Sequence, residues 1–431
     1  MAKKRVIVLG AGLSGLSAAW HLQKKGIECL VFEKEKEPGG LCRSKKINGF
    51  TFDYDGHLLH FKRRSTYNFI TKLLGIKLIK HKRNSFVRYL SCDIPYPFQA
   101  NFLKLPFNIA QQCLSGFAAA QKNGNKKDYP NFKAWAYGSF GRGIAEHFML
   151  AYNEKFWTIP ANKLTCEWLD GFIPVPALKE ILPQAKGASP KRQFGYNARF
   201  WYPEKGGIGQ LPLVLSERIK NIVTGCDVCS VDLANKNIKL KNGQKERFDY
   251  LISTIPLPEL SRIIKDAPSE IKKYLSKLRW NSIFNLNLGI DRQAIQARHW
   301  VYFPQPDISF FRVGFFHNFS SNLAPKGKNS LYIEVYFSSR RPLEKDIIPR
   351  IKRDLIKTGL LGLENSIYAE DANYINYGYP IYDHNYKHSR QGVLSYLGLN
   401  NIISCGRYGS WRYMTMEDAL LDGQKAASLI L

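Results

Sequence analysis

The chain has 431 residues, 45% of them hydrophobic and 13% aromatic. This is typical of a globular protein and too long for one small core, so we expect two or more domains. No apolar run reaches the roughly 18 residues of a membrane span, so no membrane-spanning helix is predicted. The net charge is +28, but the basic residues are scattered without a nucleic-acid-binding motif. We expect no nucleic acid partner, and peripheral contact with an acidic membrane stays open.

The eight cysteines show no disulfide-rich spacing, which predicts free thiols in a reducing compartment and a cytoplasmic location. Cys226 and Cys229 form a CxxC without a second pair at zinc spacing, so structural thiols are favoured over a metal or redox site. No metal site is predicted at His57 and His60. The first residues are similar to a signal peptide, but they form a better strand, glycine turn and helix.

The first elements predict a dinucleotide site. The apolar run Val6–Leu9 is typical of a buried parallel strand, an amphipathic helix to Lys25 follows a glycine turn, and a second strand, Cys29–Phe32, ends before Glu33. In this pattern the first glycine permits the turn, the second lets the backbone approach a pyrophosphate, and the third lets helix and strand pack. The helix N-terminus faces the pyrophosphate, and the acidic side chain accepts a hydrogen bond from a ribose hydroxyl. The residues expected at the nucleotide are Gly10, Gly12, Leu13, Ser14, Gly15 and Glu33.

A second glycine turn follows directly, in "KEKEPGGLCRS". It contains Gly39, Gly40 and Leu41, and Arg43 supplies a fixed positive charge for a phosphate. This continuation resembles the FAD-binding amine oxidase and UDP-galactopyranose mutase group of flavoproteins. The late segment "NIISCGRYGSWRYMTMEDALLDGQKAA", with Gly406, Arg407 and Met416, resembles the strand, Gly-Arg and helix that cover the flavin in that group. "ERFDYLISTIP" resembles its returning strand. The resemblance implies FAD as cofactor, with NADPH or NADH as its reductant.

The segment "CDIPYPFQAN" is neither a good helix nor a good strand. Its prolines fix a bend that presents an aromatic ring at little entropic cost, although the segment taken alone favours a buried loop. It resembles the uridine-binding segment of UDP-galactopyranose mutases, particularly the eukaryotic type, and this implies that Tyr96 and Gln99 bind uracil. Other segments resemble that family in the same order along the chain. They imply substrate contacts at Asn153, Trp157, Asn197, Trp300, Tyr302, Arg312, Tyr379 and Tyr413, and a histidine loop over the flavin at Gly56 and His57.

Three features of the chain bear on these assignments. The family commonly has two glycines before the histidine, whereas Asp55 stands first here, and a carboxylate there would alter the electrostatics of the flavin. The segment 176–195 aligns poorly, so the second diphosphate-binding cation could be Arg192, Lys191 or neither. Arg312 lies in the apolar run "SFFRVGFFH", where a buried arginine without an anion would be costly, and this points to an anionic ligand.

The predicted fold is α/β, with a Rossmann-like FAD-binding domain, a helical insertion and an antiparallel β-sheet substrate domain. We assign residues 1–91, 206–260 and 375–431 to the FAD-binding domain. Residues 92–203 form the mostly helical uridine-binding insertion, and residues 280–372 form the antiparallel sheet for the diphosphate and sugar.

The resemblance implies a nucleotide-sugar mutase that interconverts the pyranose and furanose forms of UDP-galactose, or of a related UDP-hexose, for surface glycan synthesis. In such enzymes N5 of the reduced flavin displaces UDP from the sugar, which opens and recloses on the flavin. The residues implied in catalysis are His57, Arg312, Tyr302, Tyr379 and Tyr413. One alternative is an amine oxidase or desaturase-type oxidoreductase with the same FAD elements. Another is a non-catalytic flavin protein recruited to an acidic surface. The oligomeric state stays open.

Overall fold

A computed structural model describes residues 4–124, 128–169, 172–185, 194–195, 197–291, 297–364 and 366–430. Its nucleotide-binding half is built on a five-stranded parallel sheet. In spatial order the strands are Ile402–Ser404, Tyr250–Ser253, Val6–Leu9, Cys29–Phe32 and Ile222–Val223. The predicted strands Val6–Leu9 and Cys29–Phe32 are confirmed, and they pair in register from Val6 opposite Cys29 to Leu9 opposite Phe32.

The first helix, Leu13–Lys24, ends one residue before the predicted limit. Its first half is buried all round rather than on one face, because the C-terminal helix Met416–Ser428 packs closely against it. A Cβ on Gly423 would lie 2.1 Å from the backbone oxygen of Ser14, so this contact requires a glycine. The C-terminal segment therefore folds back onto the start of the chain.

The second half of the fold is a seven-stranded sheet. Its order is Ile367–Pro380, Trp280–Ile290, Asn329–Phe337, Arg312–Phe315, Trp300–Tyr302, Ser85–Tyr89 and Cys92–Pro95. Neighbouring strands are antiparallel except for Trp300–Tyr302 beside Ser85–Tyr89. One face packs against the amphipathic helix Ile347–Lys357 around a small apolar cluster, and alternate residues of the same strands point the other way. That other face carries the polar side chains described below.

The insertion between the two halves is largely helical. Its α-helices are Phe98–Asn101, Phe107–Lys122, Phe132–Ile144, Leu150–Trp157 and Leu178–Ala185, with short 3₁₀ or π turns at Phe102–Lys104, Ala145–Met149 and Ala161–Lys163. The helix Phe132–Ile144 changes direction at Gly141, whose φ of +73° brings it against the backbone of Gly116 in the preceding helix. The insertion thus forms a rigid helical wall beside the antiparallel sheet.

The remaining elements connect these layers. Small sheets pair Ser44–Ile47 with Phe50–Asp53, Leu78–Lys82 with Arg199–Pro203, and Val228–Asp232 with Asn237–Leu240 and Lys245–Arg247. The other α-helices are Arg64–Asn68, Gln210–Ser216, Leu257–Ile263, Ser269–Lys277, Tyr386–Leu399 and Gly406–Gly409, and single turns lie at Phe69–Leu73, Phe316–Asn318 and Ser321–Leu323. None of the helices in the described ranges is long and apolar enough to cross a membrane.

The predicted fold class is confirmed, since a parallel and an antiparallel sheet flank a helical insertion. The domain limits stay predictions. Two observations bear on them: the strand Ile367–Pro380 runs through the limit at residue 375, and the strand Ser85–Tyr89 belongs to the antiparallel sheet although it lies within residues 1–91.

Candidate active site

The two glycine turns form an open cradle at the start of the first helix. Gly10 has a φ of +91°, and a Cβ on Gly15 would lie 1.9 Å from the oxygen of Gly10, so both positions require glycine. A Cβ built on Gly12 would approach only the Cα of Gly40, at 4.0 Å. The helix that follows has no capping side chain among the described residues, which leaves its first N–H groups for an anion. This geometry fits the pyrophosphate of FAD.

Glu33 and Arg43 border this cradle. Glu33 is buried, and its carboxylate accepts from the backbone N–H of Ala11 (2.7 Å) and of Glu35 (3.0 Å). It is therefore held in one orientation, with further lone pairs for a ribose hydroxyl. Arg43 donates from Nε to the oxygen of Gly40 (2.8 Å) and from Nη1 to Glu35 (3.3 Å). Arg43 fastens the second glycine turn, and Glu35 balances part of the charge that the sequence assigned to a phosphate.

One cavity of about 190 Å³, here called the central cavity, lies between the antiparallel sheet, the helical insertion and the C-terminal segment. The predicted residues that line it are Gly56, His57, Tyr96, Asn153, Trp157, Asn197, Trp300, Tyr302, Arg312, Tyr379, Arg407, Tyr413 and Met416. They come from segments spread over the whole chain, and the fold brings them to one surface. Gln99 is the predicted substrate residue that is not among them. It is 2% exposed and its amide donates to the carbonyl of Pro174 (3.0 Å).

At one end of the cavity, Arg83 organises the predicted base site. Its guanidinium lies 4.8 Å from the ring centroid of Tyr96 and donates to the carbonyls of Tyr96 (2.9 Å) and Phe194 (3.0 Å). It also donates to Oδ1 of Asn197. The ring of Tyr96 lies 5.2 Å from that of Tyr302, and burial raises the pKa of the Tyr96 hydroxyl. Tyr96 is thus held as a neutral aromatic ring, and the aromatic bend is part of the cavity wall.

The helix Leu150–Trp157 contributes Asn153 and Trp157 to the cavity, and its Lys155 holds a neighbouring turn in place. Asn153 donates to the carbonyl of Met149 (2.8 Å) and lines the cavity. Lys155 is buried and donates at 2.7 Å to the carbonyls of Phe303, Gln305 and Ile308. Those carbonyls lie in the turn between the strands that carry Tyr302 and Arg312. Lys155 therefore ties this helix to the turn that follows Tyr302 and precedes Arg312.

The position of Arg312 corrects one step of the sequence argument. The apolar flanks suggested a buried arginine that lacks an anion in the protein. In the structure Nε and Nη2 of Arg312 both donate to Oε1 of Glu334, which is 0% exposed and lies directly opposite on the next strand. The protein supplies the anion that the sequence argument reserved for a ligand. Nη1 has no hydrogen-bond partner in the part of the chain that the structure describes, and Arg312 still lines the cavity.

The loop before His57 contacts the same ion pair. Asp55 has a φ of +73°, is 7% exposed, and hydrogen-bonds to Glu334. Burial, followed by the charge of Glu334, raises the pKa of Asp55 well above its usual value. Burial, followed by the charge of Arg407, lowers the pKa of His57 to about 4. Burial therefore favours the neutral form of both side chains, which works against the extra negative charge that the sequence led us to expect at this loop.

Tyrosines surround the remaining cation of the central cavity. The guanidinium of Arg407 lies 4.2 Å from the ring centroid of Tyr379 and 5.1 Å from that of Tyr413, and these two rings stack at 5.4 Å. Nε of Arg407 is buried without a hydrogen-bond partner among the described residues. A buried donor of this kind calls for an acceptor. Arg407 and its tyrosines fit the predicted place beside the flavin and an anionic substrate.

The sequence missed several residues of this site. Arg83, Glu334 and Tyr336 were not singled out, and neither was Tyr152, although it directly precedes Asn153. Tyr336 donates to Oε2 of Glu334 (3.0 Å), and Tyr152 contacts Tyr302 at 5.3 Å between ring centroids. The one available signal was Glu334, a lone acid in the apolar strand "NSLYIEVYF". The predicted cations Lys191 and Arg192 lie outside the described residues.

Comparisons with known proteins agree with this geometry. The model of the family "Flavin containing amine oxidoreductase" matches residues 13–431. The zeta-carotene-forming phytoene desaturase of Myxococcus xanthus is 24% identical over 396 residues, or 79% of this chain and 73% of that protein. A crystal structure of reduced UDP-galactopyranose mutase superposes with a TM-score of 0.94 and 27% identity over 99% of this chain and 94% of that one. A putative protoporphyrinogen oxidase from Exiguobacterium sp. 255-15, 15% identical over 100% of this chain and 99% of that one with a TM-score of 0.77, shares the fold.

Proposed function

Because the chain belongs to the flavin-containing amine oxidoreductases and is a flavoprotein whose cradle fits FAD, we propose that it is a nucleotide-sugar mutase. It interconverts the pyranose and furanose forms of UDP-galactose or of a related UDP-hexose. The observation that carries this proposal is the central cavity, where an aromatic base site, an arginine site and the histidine loop share one surface. The 27% identity with the reduced UDP-galactopyranose mutase supports it further.

Each end of the cavity has a distinct role in the proposal. Tyr96 stacks on the uracil, and Asn153 and Trp157 hold the uridine from the helical wall. Arg312 directs its remaining N–H groups at the diphosphate, where negative charge grows as the bond to the sugar breaks. The hydroxyl groups of Tyr379 and Tyr413 donate hydrogen bonds to the same phosphates. When bound and reduced, the flavin supplies the nucleophile for the anomeric carbon, so no protein nucleophile is required.

His57 acts as an uncharged wall of the sugar site. Its pKa of about 4 keeps the imidazole neutral at physiological pH. Its Nδ1 contacts the carbonyl of Asp55 (3.3 Å), which fixes the ring through the loop backbone. A neutral histidine neither attracts the departing UDP nor competes with Arg312 for it. The negative charge of the leaving group is therefore stabilised by Arg312.

The direct test incubates the holoprotein with UDP-galactopyranose or UDP-galactofuranose and separates the two isomers by chromatography. The dithionite-reduced protein should interconvert them, with the flavin still reduced at the end, whereas the oxidised protein should be inactive. Equal turnover by the oxidised protein, or no conversion of any UDP-hexose by the reduced one, would reject the proposal. NADPH and NADH are then tested as physiological reductants by the loss of flavin absorbance under anaerobic conditions.

A second candidate is an oxidoreductase acting on a polyene, which the identity with the phytoene desaturase favours. A hydrocarbon would leave Arg407 and the free N–H groups of Arg312 desolvated without an acceptor, and that costs free energy. The two candidates separate in an anaerobic titration of the oxidised holoprotein. A desaturase should lose its flavin absorbance on addition of phytoene, and a mutase should not respond to phytoene but should bind UDP.

The partners follow from the same proposal. The ligand is a UDP-sugar, and we propose no nucleic acid partner. The net charge of +28 favours association with an acidic membrane surface from the cytoplasmic side. Sedimentation with phosphatidylserine vesicles at low and high salt tests this, and size-exclusion chromatography with light scattering gives the oligomeric state.

A further inference from the structure

Asp55 occupies a backbone position that favours glycine. Its φ of +73° lies in the left-handed region, which glycine adopts without strain. The side chain points inward to Glu334 and also accepts from the N–H of Gly56 (2.7 Å) at the start of the histidine loop. A buried carboxyl group at this position therefore joins the histidine loop to the Arg312–Glu334 ion pair.

The two carboxyl groups differ in the hydrogen-bond donors around them. Glu334 accepts two N–H groups from Arg312 and the hydroxyl of Tyr336, so it has the donors that a carboxylate needs. In the described part of the chain Asp55 accepts only from Gly56, and its contact with Glu334 requires a hydrogen between the two groups. Two buried carboxylates in contact cannot both be ionised beside a single arginine.

We propose that Asp55 is a positioning residue that holds one proton against Glu334 and thereby fixes the charge and the direction of Arg312 at the diphosphate end of the cavity. With this proton present, Asp55, Glu334 and Arg312 together carry no net charge, and the free N–H groups of Arg312 face the ligand. Without it, two carboxylates oppose one guanidinium, and a diphosphate meets net negative charge. This inference rests on the proposed function for the identity of the ligand, but not for the proton itself.

The proton makes anion binding depend on pH. The groups that face Asp55 are Glu334, Arg312, Tyr332, Tyr336, Tyr408 and His57. The four that are tyrosine or histidine are neutral around pH 7, because burial raises the pKa of Tyr332, Tyr336 and Tyr408 and lowers that of His57 to about 4. As the pH rises above the raised pKa of Asp55, this carboxyl group ionises and weakens anion binding, while Arg312 stays charged.

The experiment measures the Kd of UDP for the oxidised holoprotein by calorimetry from about pH 5.5 to 9. In the parent protein, Kd should rise about tenfold per pH unit above the pKa of the pair, with proton uptake on binding. Asp55→Asn keeps a donor to Glu334 and an acceptor for Gly56 but cannot ionise, so its Kd should stay flat. Asp354→Asn removes a buried carboxyl group outside the cavity, and its pH dependence should match that of the parent.

A second readout does not require UDP. The folded pKa of Asp55 lies above its unfolded value, so its contribution to stability is full at low pH and is lost as the pH rises through the folded pKa. The melting temperature of the parent holoprotein should therefore fall more steeply with rising pH than that of Asp55→Asn. Glu334→Gln, which removes the partner carboxylate, should also flatten the slope if Asp55→Asn does not fold.

The outcomes separate the two proposals. Identical pH slopes in the parent and Asp55→Asn, in both UDP binding and melting, would overturn the role of Asp55 and leave the proposed function intact. A parent protein that binds UDP at no pH would reject the proposed function, and the melting slopes would still decide whether Asp55 holds the proton.

Discussion

The base site gives the sharpest prediction, the change Tyr96→Ala. The guanidinium of Arg83 lies over the Tyr96 ring at 4.8 Å, and the ring of Tyr302 lies 5.2 Å away at an angle of 42°. Tyr96 also lines the central cavity, where we propose that it stacks on a uracil. A single base-aromatic stack is worth about 1–3 kcal/mol, and the Kd for UDP should rise about ten- to a hundredfold. Arg83 bonds to the backbone carbonyl of Tyr96, which the change leaves in place.

The assay is calorimetric titration of UDP into the oxidised holoprotein, because binding requires no reduction. Tyr96→Phe keeps the ring and should stay within about threefold of the parent. Tyr89→Ala is the matched control, since Tyr89 lies on the adjoining strand and its hydroxyl bonds to Nδ1 of His147 (2.8 Å) rather than facing the cavity. The loss should appear in KM and not in kcat, because stacking is equal in ground and transition states. If Tyr96→Ala bound UDP as tightly as the parent, the aromatic bend would be only a packed loop.

Three further predictions test the other parts of the site. Gly12→Val should fill the cradle and abolish the copurified flavin absorbance, whereas Gly398→Ala, with open space around it, should stay yellow; a yellow Gly12→Val would contradict the cradle. Arg312→Lys should keep the flavin but lower kcat by about a hundredfold or more, because a point charge replaces the fork on Glu334, and an unchanged kcat would exclude its role. His299 accepts from the N–H of Asn84 and its pKa is lowered to about 3 by burial, so the melting temperature should fall as pH drops below 6.5, and less steeply in His299→Phe; parallel slopes would refute this.

The nucleotide cradle could be predicted from the sequence because its signals are local. Two strands, a glycine turn and a helix follow one another within about thirty residues, and the structure shows the steric reason for glycine at Gly10 and Gly15. The segments that line the central cavity could also be recognised, since each resemblance covers a short run. Only the structure shows that these segments line the same cavity.

The residues that support the site could not be predicted in the same way. Glu334 meets Arg312 because two strands pair in one register, and Asn285 and Asn373 continue the same row on the next two strands. Such a row depends on strand order, and no stretch of the sequence specifies it. Arg83 was read as one of many scattered basic residues, although it donates to acceptors in two segments about 100 residues apart, at Tyr96 and at Phe194 and Asn197.

The charge balance of the central cavity bears on the choice of substrate. With the proposed proton on Asp55, Glu334 neutralises Arg312 and His57 is uncharged, while Arg407 has no carboxylate within ion-pair distance among the described residues. One net positive charge therefore remains in a site of low dielectric constant, where it strongly favours an anionic ligand. A reduced flavin and a diphosphate both meet this requirement, and a hydrocarbon does not. The balance depends on a single proton on Asp55, so loss of that proton removes the net positive charge and should weaken the binding of a diphosphate.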